Sequence, residues 1–238
     1  MISKEFWEVE SLRFTFFYSN NRSESLGLNW QKVFGEPPES RTDRPAQRVT
    51  IEEGKWNELN LSIVSYPDRV DIVAKGSADA PAFPVFGGFE SSIELFQTAI
   101  VNVGLEQISR VAFGAILLHM ESSVEDSYRT LGQYLPHISI GADSREFFYQ
   151  INKPFDSNIV GLDGFKFNSL RRWAAVSIQQ INIEADKVVA KAEYATRLEL
   201  DVNSNSEFDL TSRDGLARQA LDAVLSNAVS VARGKLNA

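Results

Sequence analysis

The sequence predicts an α+β fold: a largely antiparallel sheet with two or three packed helices, one of them a long C-terminal helix. Strand-like alternation of apolar and polar residues occurs in runs, and segments with helical periodicity separate those runs. Runs of strands favour an antiparallel sheet over a doubly wound parallel one. Since 43% of the 238 residues are hydrophobic, the chain can bury a full-sized core. We expect one domain over residues 1–238, and the alternative is a boundary near residues 152–169.

The first part of the chain is predicted to form a strand, a long loop and a hairpin. In SLRFTFFY, residues 11–18, apolar side chains alternate with polar ones, which is typical of a half-buried strand. Residues 19–48 contain several Asn and Pro residues and predict a loop that carries one short helix. Residues 59–74 alternate on either side of the turn 66–69, which has proline at its second position and therefore predicts a hairpin.

Two helices and one apolar strand are predicted in the middle of the chain. Apolar residues between Phe89 and Val103 recur every three or four positions, which predicts a helix that packs on the sheet. ISRVAFGAILLHM, residues 108–120, is apolar on both faces and predicts a central strand covered on both sides. Residues 122–135 predict a second helix, which starts with a capping box and ends before a proline.

The remainder is predicted to be rich in strands until a long final helix. REFFYQINK, RRWAAVSIQQINI and DKVVAKAEYATRLELDVN, which begin at Arg145, Arg171 and Asp186, each alternate like a strand. The third alternates over about sixteen residues, so one face is expected on the core and the other in water. Residues 212–234 have a helical apolar stripe, and its seam of small residues would suit a homodimer contact.

Composition and motifs remove several classes of chemistry. The chain has no cysteine, so disulfides, thiolate metal sites and cysteine nucleophiles are excluded. The phosphate-binding patterns G-x-x-x-x-G-K-[ST] and G-x-G-x-x-G, the esterase pattern G-x-S-x-G and the zinc pattern H-E-x-x-H are absent. His119 and His137 have no neighbour at a local metal-binding spacing. We expect no cofactor and no metal, and a protein that is not an enzyme is favoured.

Charge and hydropathy indicate where the protein acts. The net charge of −8 argues against general affinity for nucleic acid or anionic lipid. The first residues, MISKEFWEVESLRF, lack the apolar centre of a signal peptide, and no apolar run approaches the roughly 18 residues that a membrane span needs. We therefore expect a cytoplasmic protein with neither a membrane nor a nucleic acid as its partner.

Acidic segments supply one alternative function. In LDVNSNSEFDL, residues 200–210, oxygen-bearing side chains occupy every second position from Asp201, as in a calcium loop. That template needs glycine at its sixth place and glutamate at its twelfth, where this chain has Ser206 and Ser212. A strand end before the last helix is therefore favoured. The alternative function is a metal-dependent hydrolase or nuclease that uses carboxylates from this run or from residues 152–169.

Three short segments carry a resemblance to a known group of proteins. ISRVAFG, FFYQINKP and LELDVNSN, followed by a C-terminal helix, resemble an uncharacterised bacterial family of conserved hypothetical proteins of this length. The similarity covers roughly the last half of the chain. It implies a bacterial source and implies no particular activity.

The preferred hypothesis is a non-enzymatic protein-interaction protein. Exposed aromatic side chains on otherwise polar loops suit interface anchors, and we expect the aromatics of the loops 19–48 and 76–88 to be exposed in this way, with arginines nearby. The candidate binding residues are Trp30, Phe34, Arg41, Arg44, Phe83 and Phe86. The expected partner is another protein or a second copy of this chain, the latter through the C-terminal helix. An immunity- or antitoxin-like protein, or an accessory subunit of a defence or regulatory complex, is the setting that this hypothesis favours.

Overall fold

The computed structural model describes residues 6–18, 28–57, 59–77, 82–101, 103–105, 107–141, 144–184, 187–205, 207, 209–211 and 215–234. Within these residues the helices are α1 Trp30–Phe34, α2 Phe89–Ala99, α3 Val124–Tyr134 and α4 Leu216–Ala232, and a single 3-10 turn spans Pro45–Gln47. The strands are β1 Glu8–Tyr18, β2 Ser40–Arg44, β3 Val49–Trp56, β4 Leu59–Ser65, β5 Arg69–Lys75, β6 Ile108–Glu121, β7 Phe148–Asn152, β8 Phe155–Asp156, β9 Lys166–Glu184 and β10 Lys187–Ser204.

All ten strands belong to one sheet, and their pairings are antiparallel. The strand order is β2-β3-β4-β5-β1-β6-β10-β9-β7, with β8 paired to β9 beside β7. The first strand of the chain therefore lies at the centre of the sheet. From Ala175 to Glu193, β9 and β10 pair only with each other within the described chain, so they extend past the other strands as a two-stranded ribbon.

The core lies between one face of the sheet and the helices. Leu12, Phe14 and Phe16 alternate along β1 and are fully buried on this face, because successive side chains of a strand point to opposite faces. Helix α4 packs on β6 and β10, α3 packs on β9 and β10, and α2 packs on β1. The predicted α+β fold with a largely antiparallel sheet and a C-terminal helix is confirmed. No helix in the described part of the chain has both the length and the apolar character to cross a membrane.

Among the described helices, none packs on the opposite face of the sheet, which differs from the expectation that β6 is covered on both sides. Arg13 of β1 reaches across Gly114 of β6 to Asp201 of β10, with 3.0 Å between Nη2 and Oδ2. A Cβ at Gly114 would lie 3.2 Å from the guanidinium. Long side chains can cover apolar surface with their stems. Side chains from neighbouring strands, and not a second layer of helices, therefore cover this part of β6.

Strands β2 and β3 are the main difference from the predicted element order. Residues 40–44 fall in the segment assigned to a long loop, but they form an edge strand whose five side chains are all exposed. Because neither face of β2 is buried, its sequence SRTDR carries no apolar alternation from which a strand can be predicted. The short helix predicted in the same segment is present as α1.

Two segments that were considered for a domain boundary and for a dimer contact contain residues that are buried within this chain. In the segment 152–169, Leu162 and Phe165 are fully buried in the main core, so this segment is anchored to the rest of the chain. The small-residue seam of α4, which includes Ala217 and Ala228, is buried as well. Since α4 packs on β6 and β10 of the same chain, that seam is not free for a dimer contact. The domain count and the homodimer stay predictions.

Candidate functional site at the β7 edge

Trp30, expected on an exposed loop, is a core residue. Its side chain is 1% exposed, and its backbone N–H donates to Oε2 of the buried Glu52 over 2.7 Å. The indole lies against Gly54 of β3, where a Cβ would come within 2.8 Å of the ring. The expectation of an exposed Trp30 is therefore wrong, because α1 packs against β3 and buries this side chain.

The other predicted aromatic anchors also pack within the fold. Phe34 is half-buried, and its ring centroid lies 4.5 Å from that of Trp30. Phe83 is buried in a small hydrophobic cluster on the helix-free face, while Phe86 is half-buried against the main core. These aromatics do not form one exposed patch. Whether any of them contacts a partner stays a prediction.

Arg41 and Arg44 are exposed on β2, as expected of surface residues. Arg41 lies 3.3 Å from a carboxylate oxygen of Asp43 and 3.4 Å from one of Glu52. Glu52 contacts both Arg41 and the backbone N–H of Trp30. Two of the predicted binding residues, Trp30 of α1 and Arg41 of β2, therefore lie close to each other. Phe83 lies elsewhere, beside β6.

The acidic segments hold no cluster within the described chain. Asp201 pairs with Arg13, and Asp156 of β8 pairs with Lys166 at 2.7 Å. The described residues contain no group of three or more His, Cys, Asp and Glu side chains that could hold a metal ion. In the run 201–209, the first residues end β10, as predicted from their phase in the strand.

A polar groove of about 430 Å³ crosses the helix-free face. Arg13 pairs with Asp201 there, and Arg172 pairs with Glu199 at 2.6 Å between Nη1 and Oε1. Positive and negative side chains thus neutralise each other within the groove. Partly exposed pairs of this kind contribute little to stability.

The two edges of the sheet differ in character. At one edge, β2 carries three charged residues in five, which is a common way to prevent pairing with another strand. At the other edge, β7 reads FYQIN and has neither charge nor proline. Two apolar side chains of β7 are exposed, Phe148 at 63% and Ile151 at 38%. An apolar edge strand without these protections favours the addition of a strand from another chain.

The backbone of β7 has groups available for such pairing. Lys153 donates its N–H to Ser169 O over 2.9 Å, and Ala175 donates to Phe147 O over 3.4 Å. Odd-numbered residues of this segment therefore face β9, because the groups of an antiparallel strand alternate in direction. The N–H and C=O groups of Phe148, Gln150 and Asn152 point away from β9, and β9 is the sole strand partner of β7 among the described residues.

A pocket of about 480 Å³ opens beside β7 on the helix-covered side of the sheet. We call it the Arg171 pocket. Its wall is formed by Gln133, Tyr134, Leu135, Pro136, His137, Ile138, Tyr149, Ile151, Lys153, Arg171, Trp173 and Gly234. None of these residues is acidic, although acidic residues outnumber basic ones in the whole chain.

Arg171 is the buried cation of this pocket. It is 2% exposed, and its Nε donates to Ser169 Oγ over 3.1 Å. Ser169 in turn donates to Oδ1 of Asn227 in α4 over 2.8 Å. The Nη2 atom of Arg171 and the Nε1 atom of the buried Trp173 have no hydrogen-bond partner within the described chain. Burial lowers the pKa of Arg171, because it removes water from around the charge.

The order of residues in β9 indicates this pocket, although the residue composition does not. Arg171 and Arg172 are adjacent and, beside Trp173, look like one basic patch. Because strand side chains alternate, Arg171 shares the core face with Trp173, while Arg172 lies on the opposite face and pairs with Glu199. An arginine in phase with the buried residues of a strand is the pattern that marks the pocket.

Comparison with known proteins returns no match: no protein-family model, no curated protein and no solved structure matches this chain. The fold places it among α+β proteins with one antiparallel sheet and helices on one face. The resemblance to conserved bacterial proteins stays a prediction, and function is argued from the geometry of the site.

Proposed function

We propose that this protein is a non-enzymatic protein-interaction protein, and that it binds an extended segment of another protein by strand addition at β7. The observation that carries the proposal is the unprotected edge of β7, with its outward backbone groups and its exposed Phe148. An added strand would gain main-chain hydrogen bonds from Phe148, Gln150 and Asn152. The setting, an immunity- or antitoxin-like protein or an accessory subunit, belongs to the same proposal.

The charge around β7 favours another protein over a second copy of this chain. If two β7 strands paired antiparallel about a twofold axis perpendicular to the sheet, both Arg171 pockets would lie on the same side of the joined sheet. Their walls, which contain Arg171 and Lys153 and no acid among the described residues, would then approach each other, and like charges oppose association. A segment with acidic side chains meets no such repulsion.

Three variants test the proposal. Gln150→Pro removes an outward N–H and no backbone hydrogen bond to β9, although the side-chain hydrogen bond from Arg172 Nε to Gln150 Oε1 is lost, and Phe148→Lys places a charge on the edge. Thr42→Lys adds the same charge at the opposite edge and is the matched control. We expect affinity capture from the source organism to yield a stoichiometric protein that the first two variants lose and Thr42→Lys retains.

Hydrogen exchange with the purified partner then locates the contact. We expect the amides of Phe148, Gln150 and Asn152 to gain protection in the complex, because they are the free donors of the edge. A partner that binds all three variants equally, or protection confined to another surface, would overturn the proposal. The same protection appearing in the isolated chain as its concentration rises would identify a second copy as the occupant and would also overturn it.

A further inference from the structure

We infer that the Arg171 pocket is a binding site for a carboxylate group. Two buried donors that lack partners among the described residues, Nη2 of Arg171 and Nε1 of Trp173, belong to neighbouring core-facing positions of β9, and both residues lie in the wall of one pocket. In the described part of the chain, no acidic residue lines the pocket to act as counter-ion. This inference stands apart from strand addition at β7, since it depends on the interior of the pocket and not on the edge backbone.

Arg171 holds a buried charge that forms no ion pair among the described residues. Most buried polar groups in proteins have hydrogen-bond partners, and buried charges are nearly always paired. Two arginines of the helix-free face, Arg13 and Arg172, are partly exposed and paired with carboxylates. Arg171 is more deeply buried than either, yet its guanidinium hydrogen-bonds only to the neutral Ser169 among the described residues. A water molecule could accept from Nη2, but only an anion also neutralises the charge.

Helix ends contribute some negative potential to the pocket. Residues Tyr134 and Leu135 lie where α3 ends, and Gly234 follows α4, so the carboxyl ends of both helices reach the wall. Helix dipoles act mainly within their last turn. The guanidinium of Arg171 donates no hydrogen bond to the carbonyls of either helix in the described chain, so the helix ends leave its Nη2 donor unoccupied.

The donors present suit a carboxylate better than a phosphate. Arginine binds a planar carboxylate through two parallel N–H groups, and one buried cation matches the single negative charge of that group. The ring of Tyr149 lies 5.9 Å from that of Trp173, so the pocket also offers aromatic surface to the rest of a ligand. Lys153 is an exposed, positively charged residue of the same wall and would attract an anion from solution.

The carboxylate has two chemical sources, an acidic side chain or chain end of a bound protein and a free small acid. The first source would join this pocket to the adjacent β7 edge, since Tyr149 and Ile151 belong to both. The probe for the free acid is phenylacetate, with phenylacetamide as its neutral counterpart and inorganic phosphate as a second anion. The probe for the protein source is competition between phenylacetate and the partner captured at β7.

The test follows the indole N–H resonance of Trp173 by NMR as each probe is added to the full chain. We expect phenylacetate to shift it in a saturable way, and phenylacetamide and phosphate to leave it in place. Arg171→Met should weaken phenylacetate binding at least tenfold. Arg172→Met removes a neighbouring arginine from the opposite face and should leave the affinity unchanged.

Several outcomes would overturn the inference: no saturable shift with phenylacetate, an equal response to phenylacetamide, a response to phosphate alone, or equal loss in both arginine variants. If Arg171→Met fails to fold, Arg171→Lys keeps the charge without the planar pair of donors and should still weaken binding. Gln150→Pro separates the two proposals, because it should abolish partner capture and leave phenylacetate binding intact. Release of the partner by phenylacetate assigns the carboxylate to the partner, whereas retention assigns the site to a free acid.

Discussion

At the residue scale, a small hydrogen-bond network joins the start of the chain to the ends of two helices. Trp7 Nε1 donates to the hydroxyl of Tyr134 over 3.0 Å and to the carbonyl of Ala232 over 2.8 Å. The Tyr134 hydroxyl itself donates to Ala232 O over 3.1 Å. Burial raises the pKa of Tyr134 to about 12, and the hydrogen bond from Trp7 opposes part of that rise. The network therefore requires a neutral tyrosine.

We expect the stability of the protein to fall between pH 10 and pH 12 in a way that depends on Tyr134. An unfolded tyrosine ionises near pH 10, so the contribution of the neutral, buried form is complete below that pH and is lost as the pH rises towards 12. The loss should reach about 2 kcal/mol. Urea unfolding of the wild type and of Tyr134→Phe at pH 8 to 11.5 measures it, and the variant should show the flatter profile.

Tyr18 is the control for that measurement. Burial raises the pKa of this residue as well, but Tyr18 is present in both proteins and its effect cancels in the comparison. If the wild type and Tyr134→Phe lose stability in parallel above pH 10, Tyr134 is not the group responsible.

Residue by residue, the sequence predicts burial along regular elements better than burial in irregular ones. Leu12, Phe14 and Phe16 were assigned to the core from their period and are fully buried. Trp30 was assigned to an exposed loop, yet it is buried because Gly54, on a strand that is distant in sequence, leaves room for its ring. Such a fit between two distant residues has no local signal in the chain.

At the scale of elements, two glycines have opposite roles. Gly76 follows β5 and packs so closely on the segment before α2 that a Cβ would overlap the carbonyl oxygen of Pro84. Its N–H also donates to Glu10 O of β1 over 3.1 Å, which fixes its position. Gly132 lies within α3, and nothing lies within 4 Å of the place where its Cβ would be. One glycine permits packing, and the other only weakens a helix.

We expect alanine at these two positions to change stability in opposite directions. Gly76→Ala should cost about 2 kcal/mol or more, because the backbone of the Pro84 segment must move. Gly132→Ala should stabilise the protein by up to about 1 kcal/mol, since alanine is the better helix former. Chemical denaturation of the two single variants measures both. Equal and small effects would contradict the close packing at Gly76.

Elements with one buried face were predictable, and elements without one were not. The alternation in β10 and the capping box of α3 both agree with the structure, where Ser123 Oγ accepts the N–H of Asp126 over 3.1 Å. Strand β2 lacked any signal because it is exposed on both faces. The Arg171 pocket was missed for a different reason, since its wall combines residues from 133 to 234 that only tertiary packing brings together.

At the scale of the whole molecule, one continuous sheet links the two ends of the chain. β1 lies between β5 and β6, and β6 pairs on its other side with β10. The main hydrophobic core includes residues from Trp7 to Ala232, with Leu162 and Phe165 of the segment 152–169 among them. Residues from both ends of the described chain therefore contribute to one main core.

We expect the chain to unfold in a single cooperative transition. Urea unfolding followed by tryptophan fluorescence, which reports Trp7, Trp30, Trp56 and Trp173, should coincide with unfolding followed by far-ultraviolet circular dichroism. Two separated transitions would instead support a boundary near residues 152–169. Deletion of α4 should abolish the folded state, because α4 covers β6 and β10.

The position of β6 between β1 and β10 has a consequence for how the protein is made in the cell. β6 is complete when Glu121 has been synthesised, but its second neighbour β10 begins only at Lys187, and α4 follows later still. During translation, the emerging chain therefore holds an apolar strand with one unpaired edge and an uncovered face. Such intermediates are prone to aggregation, so we expect nascent chains of this protein to depend on chaperones until their last residues leave the ribosome.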